Sequence, residues 1–194
     1  MEKVLTAAAV NESLEHAALE LATGGAVNAP PYRVFTPREE KDYGPQFPAG
    51  GTPAHHAYTS LSGAIASLDV TADRIDSDII TYIEREGRLH QRRVPGTADR
   101  KFCGLVYLYS SLTGELLAII HDGYLQKFRV AGTGAVGAKH LAREDARVMA
   151  LLGTGWQAQA GVHCFAALGR LDEIKVGPLK KVWLVDLVTS RVGG

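Results

Sequence analysis

Apolar and polar positions along this chain follow two different periods, and the places where the period changes divide it into segments. Leu14, Ala17, Ala18 and Leu21 recur at helical spacing, which predicts a helix over about 11–22 that stops at Gly24-Gly25. From Asn28 to Pro53 the periodicity disappears. That stretch holds six prolines, with Arg38-Glu39-Glu40-Lys41-Asp42 at its centre, and is expected to be an exposed excursion. Two strands are predicted after it, near 64–68 and 71–83. In the second, alternation sets Arg74, Asp76 and Asp78 on one face and Ile75 and Ile79 on the other.

The clearest hairpin pattern comes next. Strand-like runs at 102–109 and 116–120 are joined by a turn whose Gly114 can take positive φ. The pattern turns helical from Asp122, and 130–142 is rich in Gly and Ala, so that Gly132, Gly134 and Gly137 weaken the helix but let another element approach closely. The apolar run Val148 to Leu152 then leads into Gly153-Thr154-Gly155-Trp156-Gln157-Ala158, a G-x-G-x-x-A turn. A strand delivering the first glycine, a helix over about 156–168 and a second strand at 182–185 ending in Asp186 form the context in which such a turn binds a dinucleotide. The helix aims its free N–H groups at the pyrophosphate, and Asp186 is placed for the ribose 2′-hydroxyl. Its charge would repel a 2′-phosphate, which favours NAD over NADP; a strand-end turn residue is the alternative reading. Trp156 either covers the pyrophosphate or packs at a domain junction.

Composition narrows the field. Of 194 residues, 46% are hydrophobic and 22% charged, and 21 basic residues balance 21 acidic ones, so neither nucleic acid nor an anionic membrane surface is expected as a partner. The pattern contains neither a membrane-spanning run nor a signal peptide, and a cytoplasmic location is expected. Cys103 and Cys164 form no C-x-x-C pair and read as reduced, buried thiols. His55 and His56 are adjacent and would point to opposite faces of a strand, so no metal site is predicted. Ser60, Ser62 and Ser77 lack a G-x-S-x-G setting for nucleophilic chemistry.

Several motifs, in order, carry a resemblance. Cys103-Gly-Leu-Val-Tyr-Leu-Tyr-Ser, Thr113-Gly-Glu-Leu-Leu-Ala, Asp122-Gly-Tyr-Leu, Phe128-Arg-Val, Ala138-Lys-His-Leu-Ala-Arg-Glu-Asp-Ala and Leu152-Gly-Thr-Gly resemble the ornithine cyclodeaminase and mu-crystallin family. The resemblance implies an α/β protein: an N-terminal α+β open-barrel domain for substrate binding and dimerisation (1–143), followed by the first βαβ unit of a Rossmann NAD(P)-binding domain (144–194). Only 36 residues follow Ala158, so the nucleotide domain is expected to be incomplete in this chain: a fragment, a truncated product or a protein completed by a partner. Family members act on amino acids or cyclic imines. The namesake converts ornithine to proline and ammonia, and relatives reduce ketimines or oxidise alanine.

The same resemblance assigns residues. An amino-acid carboxylate is best held by arginine, whose planar fork offers paired, permanently charged donors. Arg129 matches the family's substrate arginine, and Arg33 a second one. Gly153, Thr154, Gly155, Gln157 and Ala158 would hold the cofactor. The family's lysine near the substrate amine falls at Asp76, a charge reversal, and no lysine lies between Lys41 and Lys101. Arg74 shares the strand face but is a poor proton shuttle. The family's catalytic aspartate falls beyond residue 194. Expected activities are therefore an ornithine cyclodeaminase-like reaction, reduction of a ketimine such as pyrroline carboxylate or alanine dehydrogenation, or a non-catalytic mu-crystallin-like binding module. A homodimer is expected through the N-terminal domain.

Overall fold

The computed structural model describes residues 5–94, 103–177 and 183–186. The chain forms two compact units: residues 23–123 make one, and the segment before Thr23 joins the segment after Gly123 in the other.

The 23–123 unit is a seven-stranded antiparallel sheet of β1 (Ala26–Asn28), β2 (Tyr32–Arg38), β3 (Ala54–Ile65), β4 (Val70–Arg85), β5 (Arg88–Val94), β6 (Cys103–Ser110) and β7 (Leu116–His121). The path runs β1-β3-β4-β6-β7, with β2 also on β3 and β5 also on β4. The hairpin of β6 and β7 forms as expected, with Gly114 at φ +75°.

The strands differ from the expected ones in three places. The 28–53 excursion contains a strand, β2, which among the described residues pairs only with β3, so that Pro37 costs no ladder bond on its outer side. β3 begins at Ala54, and the strand expected at 64–68 is its last two residues followed by a 3-10 turn at Ala66–Leu68. Its run of His, Tyr, Thr and Ser hides the alternation that apolar residues would reveal. β5 carries only two apolar residues, Leu89 and Val94, too few for an alternation; it follows from the two-residue turn Glu86-Gly87, both at positive φ, which folds β4 back on itself.

The register lines up residues far apart in the chain. Arg33, Thr59, Asp76 and Gly104 form one cross-strand row, Phe35, Ala57 and Asp78 the next on the same face, and Leu61, Arg74 and Val106 the row on the other side.

The second unit contains α1 (Ala7–Thr23), α2 (Asp122–Leu141, of which the first two residues belong to the sheet unit), β8 (Val148–Leu152), α3 (Trp156–Ala166), β9 (Glu173–Gly177) and β10 (Trp183–Asp186). Val10, Phe128, Ala131, Ala135, Ala160 and Cys164 are its buried cluster, drawn from all three helices. The close approach expected of the small-residue helix occurs at Gly132, where a Cβ would lie 2.6 Å from Leu14 Cδ1 and 2.9 Å from Val10 Cγ1. This packing is why the division differs from the expected boundary at 143/144: α1 and most of α2 share a core with α3.

β8 and β9 are parallel, joined through α3, as a βαβ unit requires. The second parallel strand is Glu173–Gly177, however, and not 182–185. Ile174 is fully buried on it, and the later segment returns antiparallel as β10.

Candidate active site

An open cavity of about 210 Å³ lies on one face of the antiparallel sheet, lined among others by Arg33, Thr59, Arg74, Asp76, Asp78 and Arg93. The alternation along β4 puts its Arg and two Asp there, as the sequence pattern requires, and β2 and β5 add one arginine each.

These charges are not equivalent. Arg74 Nε donates to Asp122 Oδ2 at 2.6 Å, and its Nη2 lies 2.8 Å from Asp76 Oδ1 and 2.7 Å from Asp76 Oδ2. The side chains of Arg74 and Asp122 are 15% and 3% exposed, so this clasp is largely shielded from solvent, where charged pairs interact more strongly than in water. Asp122 opens α2, a position where a carboxylate also meets the positive end of the helix. Gly104 makes the arrangement possible. A Cβ there would stand 3.0 Å from Asp76 Oδ1 and 3.2 Å from Asp122 Cβ.

Arg93 Nη2 pairs with Asp78 Oδ2 at 3.1 Å. Burial pushes the Asp78 carboxyl above the ordinary carboxylate range; neighbouring Asp76 adds to the rise, while Arg93, Arg74 and His56 oppose it. Arg33 is exposed, and among the described residues it makes no ion pair or side-chain hydrogen bond. Two of the three arginines are therefore occupied by carboxylates of the protein, and Arg33 remains for a ligand.

The resemblance pointed to Arg33 and Asp76 but missed the partners. Asp122 had one local signal, an aspartate at a helix start; Gly104 and Arg93 had none, because their roles arise only from strand pairing. Arg129 lies in the other unit, exposed on α2, where its backbone carbonyl accepts a 2.9 Å bond from the Thr133 hydroxyl. On the sheet's reverse face His56 Nε2 is 3.0 Å from Ser77 Oγ, and the hydroxyls of Ser60 and Ser62 donate to Asp73 Oδ1 at 2.7 and 2.9 Å. Among the described residues, no group of three His, Cys, Asp or Glu side chains is arranged to hold a metal.

The glycine turn stands in the helical unit. Gly153 has φ +113°, a conformation that side chains disfavour, and its N–H donates to the Gly177 carbonyl at 2.7 Å, tying the turn to the end of β9. Gly155 caps α3 in extended conformation without a side-chain bond, and the helix ladder opens with Gln159 N–H to the Gly155 carbonyl at 3.2 Å. The N–H groups of Trp156, Gln157 and Ala158 thus belong to an uncapped first turn. A Cβ on Gly155 would meet nothing within 4 Å. Thr154, Trp156 and Gln157 are exposed, Trp156 by 45%, and Ala158 is half-buried. An open, uncapped helix start after a glycine turn fits a dinucleotide pyrophosphate.

Asp186 does not join this turn. The register pairs it with Glu173, at the start of β9, whereas the turn adjoins Gly177 at its end. The expected ribose role depended on 183–186 running parallel to β8, and the antiparallel return carries its last residue the other way.

Residues 92–182 match the model described as the ornithine cyclodeaminase/mu-crystallin family. Over 120 residues the chain is 40% identical to an uncharacterised cyclodeaminase of Sinorhizobium fredii, covering 58% of this chain and 36% of that protein. Over 71 residues it is 34% identical to a delta(1)-pyrroline-2-carboxylate reductase of Bacillus cereus, covering 37% and 22%. Among solved structures it is similar to the iminosuccinate reductase of Paracoccus denitrificans in complex with NAD+, with TM-score 0.69, 20% identity and coverage of 92% of this chain and 47% of that one. An archaeal alanine dehydrogenase dimer with bound NAD gives TM-score 0.65 at 19% identity, over 92% and 46%. These likenesses establish a fold of α/β type, and this chain spans about half the length of the solved relatives.

Proposed function

We propose that this chain, whose residues 92–182 match the ornithine cyclodeaminase/mu-crystallin family, is the substrate-binding part, and the start of the nucleotide-binding part, of an NAD-dependent enzyme of that family acting on an amino acid or cyclic imine. Gly153, Thr154, Gly155, Gln157 and Ala158 hold the cofactor in this reading. The open space over Gly155 and the uncapped start of α3 support it. The cofactor, when bound, supplies or accepts a hydride. The choice of NAD over NADP is supported by the solved neighbours that hold NAD, since Asp186 lies at the other end of β9. Arg33 takes the substrate carboxylate, with Arg129 as the second candidate.

Among the family's reactions, the observation that carries the choice is Arg74. It is gripped by Asp76 and Asp122, and among the described residues the cavity lining holds no lysine. Release of ammonia from ornithine requires a group that passes a proton to the leaving amine, and a guanidinium keeps its protons. Addition of hydride to an imine asks the cavity chiefly to bind and orient. We therefore favour imine reduction, or its reverse, over conversion of L-ornithine to L-proline and ammonia.

The test is a titration of the 194-residue chain with NADH, followed by tryptophan quenching and repeated in Gly155→Val. Saturable quenching lost in the variant is expected. No quenching by a folded chain would leave the binding-module reading. In the full-length enzyme, turnover of L-ornithine but not of delta(1)-pyrroline-2-carboxylate would overturn the choice of reaction.

A homodimer and a cytoplasmic location belong to the same proposal. Exposed Val34 and Phe35 on β2 and Leu116, Leu117 and Ile119 on β7 support the first; the free, buried thiol of Cys164, pushed up to about 11 by burial, supports the second. Sedimentation as a monomer at micromolar concentration would refute the dimer.

A further inference from the structure

We propose that Tyr82 and Gln91 form a distal subsite of the sheet cavity, built to take a neutral group that both donates and accepts hydrogen bonds, an amide or a urea, at the end of a ligand's long side chain. This rests on the proposed function in one respect, that Arg33 takes the ligand's carboxylate. It goes beyond that reading by assigning two specificity residues and the chemistry they recognise.

The cavity is longer than a ring-sized ligand needs. Its lining runs along β4 from the row of Arg33, Thr59 and Asp76, past Asp78 and Ile80, to Tyr82 and Gln91, which the register sets directly opposite each other on the same face. From Asp76 to Tyr82 the strand advances by roughly 20 Å. Between these ends the lining changes character. Phe35 and Ile80 are apolar, and Asp78 and Arg93 cancel at 3.1 Å. That stretch suits the methylene groups of a side chain. Glu84, one row beyond Tyr82 on the same face, is exposed and stands outside the lining.

The far end is anchored along its backbone and open at its tips. β3 begins only at Ala54, and Thr52 takes over its pairing with β4. The Tyr82 N–H donates to Thr52 Oγ1 at 3.2 Å, the Thr52 N–H to the Tyr82 carbonyl at 2.9 Å, and the buried Thr81 hydroxyl to the Thr52 carbonyl. Tyr82 is thus held by Thr52 on one side and by β5 on the other, which lowers the ordering cost of binding. Among the described residues, neither the half-buried phenol of Tyr82 nor the exposed amide of Gln91 makes a hydrogen bond. Each of these groups both donates and accepts, so together they complement a ligand group with both capacities and no net charge. An ammonium brings donors alone, and a methyl brings neither.

The experiment uses the 194-residue chain and follows amide shifts of the sheet unit by NMR during titration with L-norvaline, L-ornithine and L-citrulline. These share a three-carbon side chain, which ends in hydrogen, an ammonium and a urea respectively. L-Citrulline should bind at least about tenfold tighter than the other two, the size of two modest hydrogen bonds. Tyr82→Phe and Gln91→Ala should each remove most of that preference, and Arg33→Gln should weaken all three ligands. Equal binding of L-norvaline and L-citrulline, both weakened by Arg33→Gln, overturns the inference and leaves the proposed function standing. Tightest binding of L-ornithine overturns it as well, as does a preference for L-citrulline that survives both subsite substitutions. Binding of none of the three overturns the inference and the role of Arg33 together. The comparison of ligands in the unaltered chain stands even where Tyr82→Phe fails to fold.

Discussion

At the cavity of the sheet, Arg74, Asp76, Asp78 and Arg93, with Asp122 behind them, come from two strands and a helix start and hold one another in place, whereas at the glycine turn the N–H groups of Trp156, Gln157 and Ala158 stand in an uncapped first turn. One region spends most of its charge inside the protein and keeps a single arginine for a ligand. The other is shaped by what is missing from it: side chains at two positions and a cap. Stability and binding should therefore be separable at the turn and entangled in the cavity.

The sharpest way to break that contrast is Arg74→Met. It leaves Asp76 and Asp122 unpaired and largely buried, and should cost about 3–5 kcal/mol of stability, visible as a lower midpoint in urea unfolding. A loss under 1 kcal/mol, on the order of a surface pair, would mean that the clasp is not a structural element. Next in size is Gly104→Ala, whose new methyl meets Asp76 and Asp122; roughly 1–3 kcal/mol is expected from crowding of this kind, read by the same unfolding curve.

Gly155→Val probes the other side of the comparison. A side chain there enters open space, so stability should change by no more than about 0.5 kcal/mol while NADH affinity falls at least tenfold. Equal loss of both would erase the distinction between the regions.

The smallest effect concerns Asp78. Burial raises its carboxyl above the ordinary value of 3.8, so between that value and the raised native one the native state keeps a proton that the unfolded chain has lost. The stability this group contributes is present at low pH and declines as pH rises from 3.8 to the raised native value. Asp78→Asn removes that slope, and the difference between the two stability profiles across acidic pH is the measurement. A parallel pair of profiles would place Asp78 in a more solvated setting.

What the sequence revealed follows the same divide. The turn was readable because its requirements are local: a glycine at positive φ, a small residue next to the helix start and an apolar strand, all within a dozen positions. The face shared by Arg74, Asp76 and Asp78 was readable for the same reason, since alternation along one strand is a local rule. Arg93, Gly104 and Asp122 were not, because what unites them with β4 is register across strands. Asp186 shows the opposite error. The motif that names an acidic residue after the second strand assumes which strand is second, and Ile174, buried on β9, took that place.

Gly104 has an unusual kind of indispensability. Its φ is not in the left-handed region, so a survey of backbone angles passes over it, and on β6 it occupies an ordinary strand position. In a scan of every substitution at every site, its tolerance profile should cluster with those of Asp76 and Asp122 and not with the turn glycines. A glycine that behaves statistically like a charged residue would mark, in unfamiliar sequences of this fold, where two carboxylates share one guanidinium.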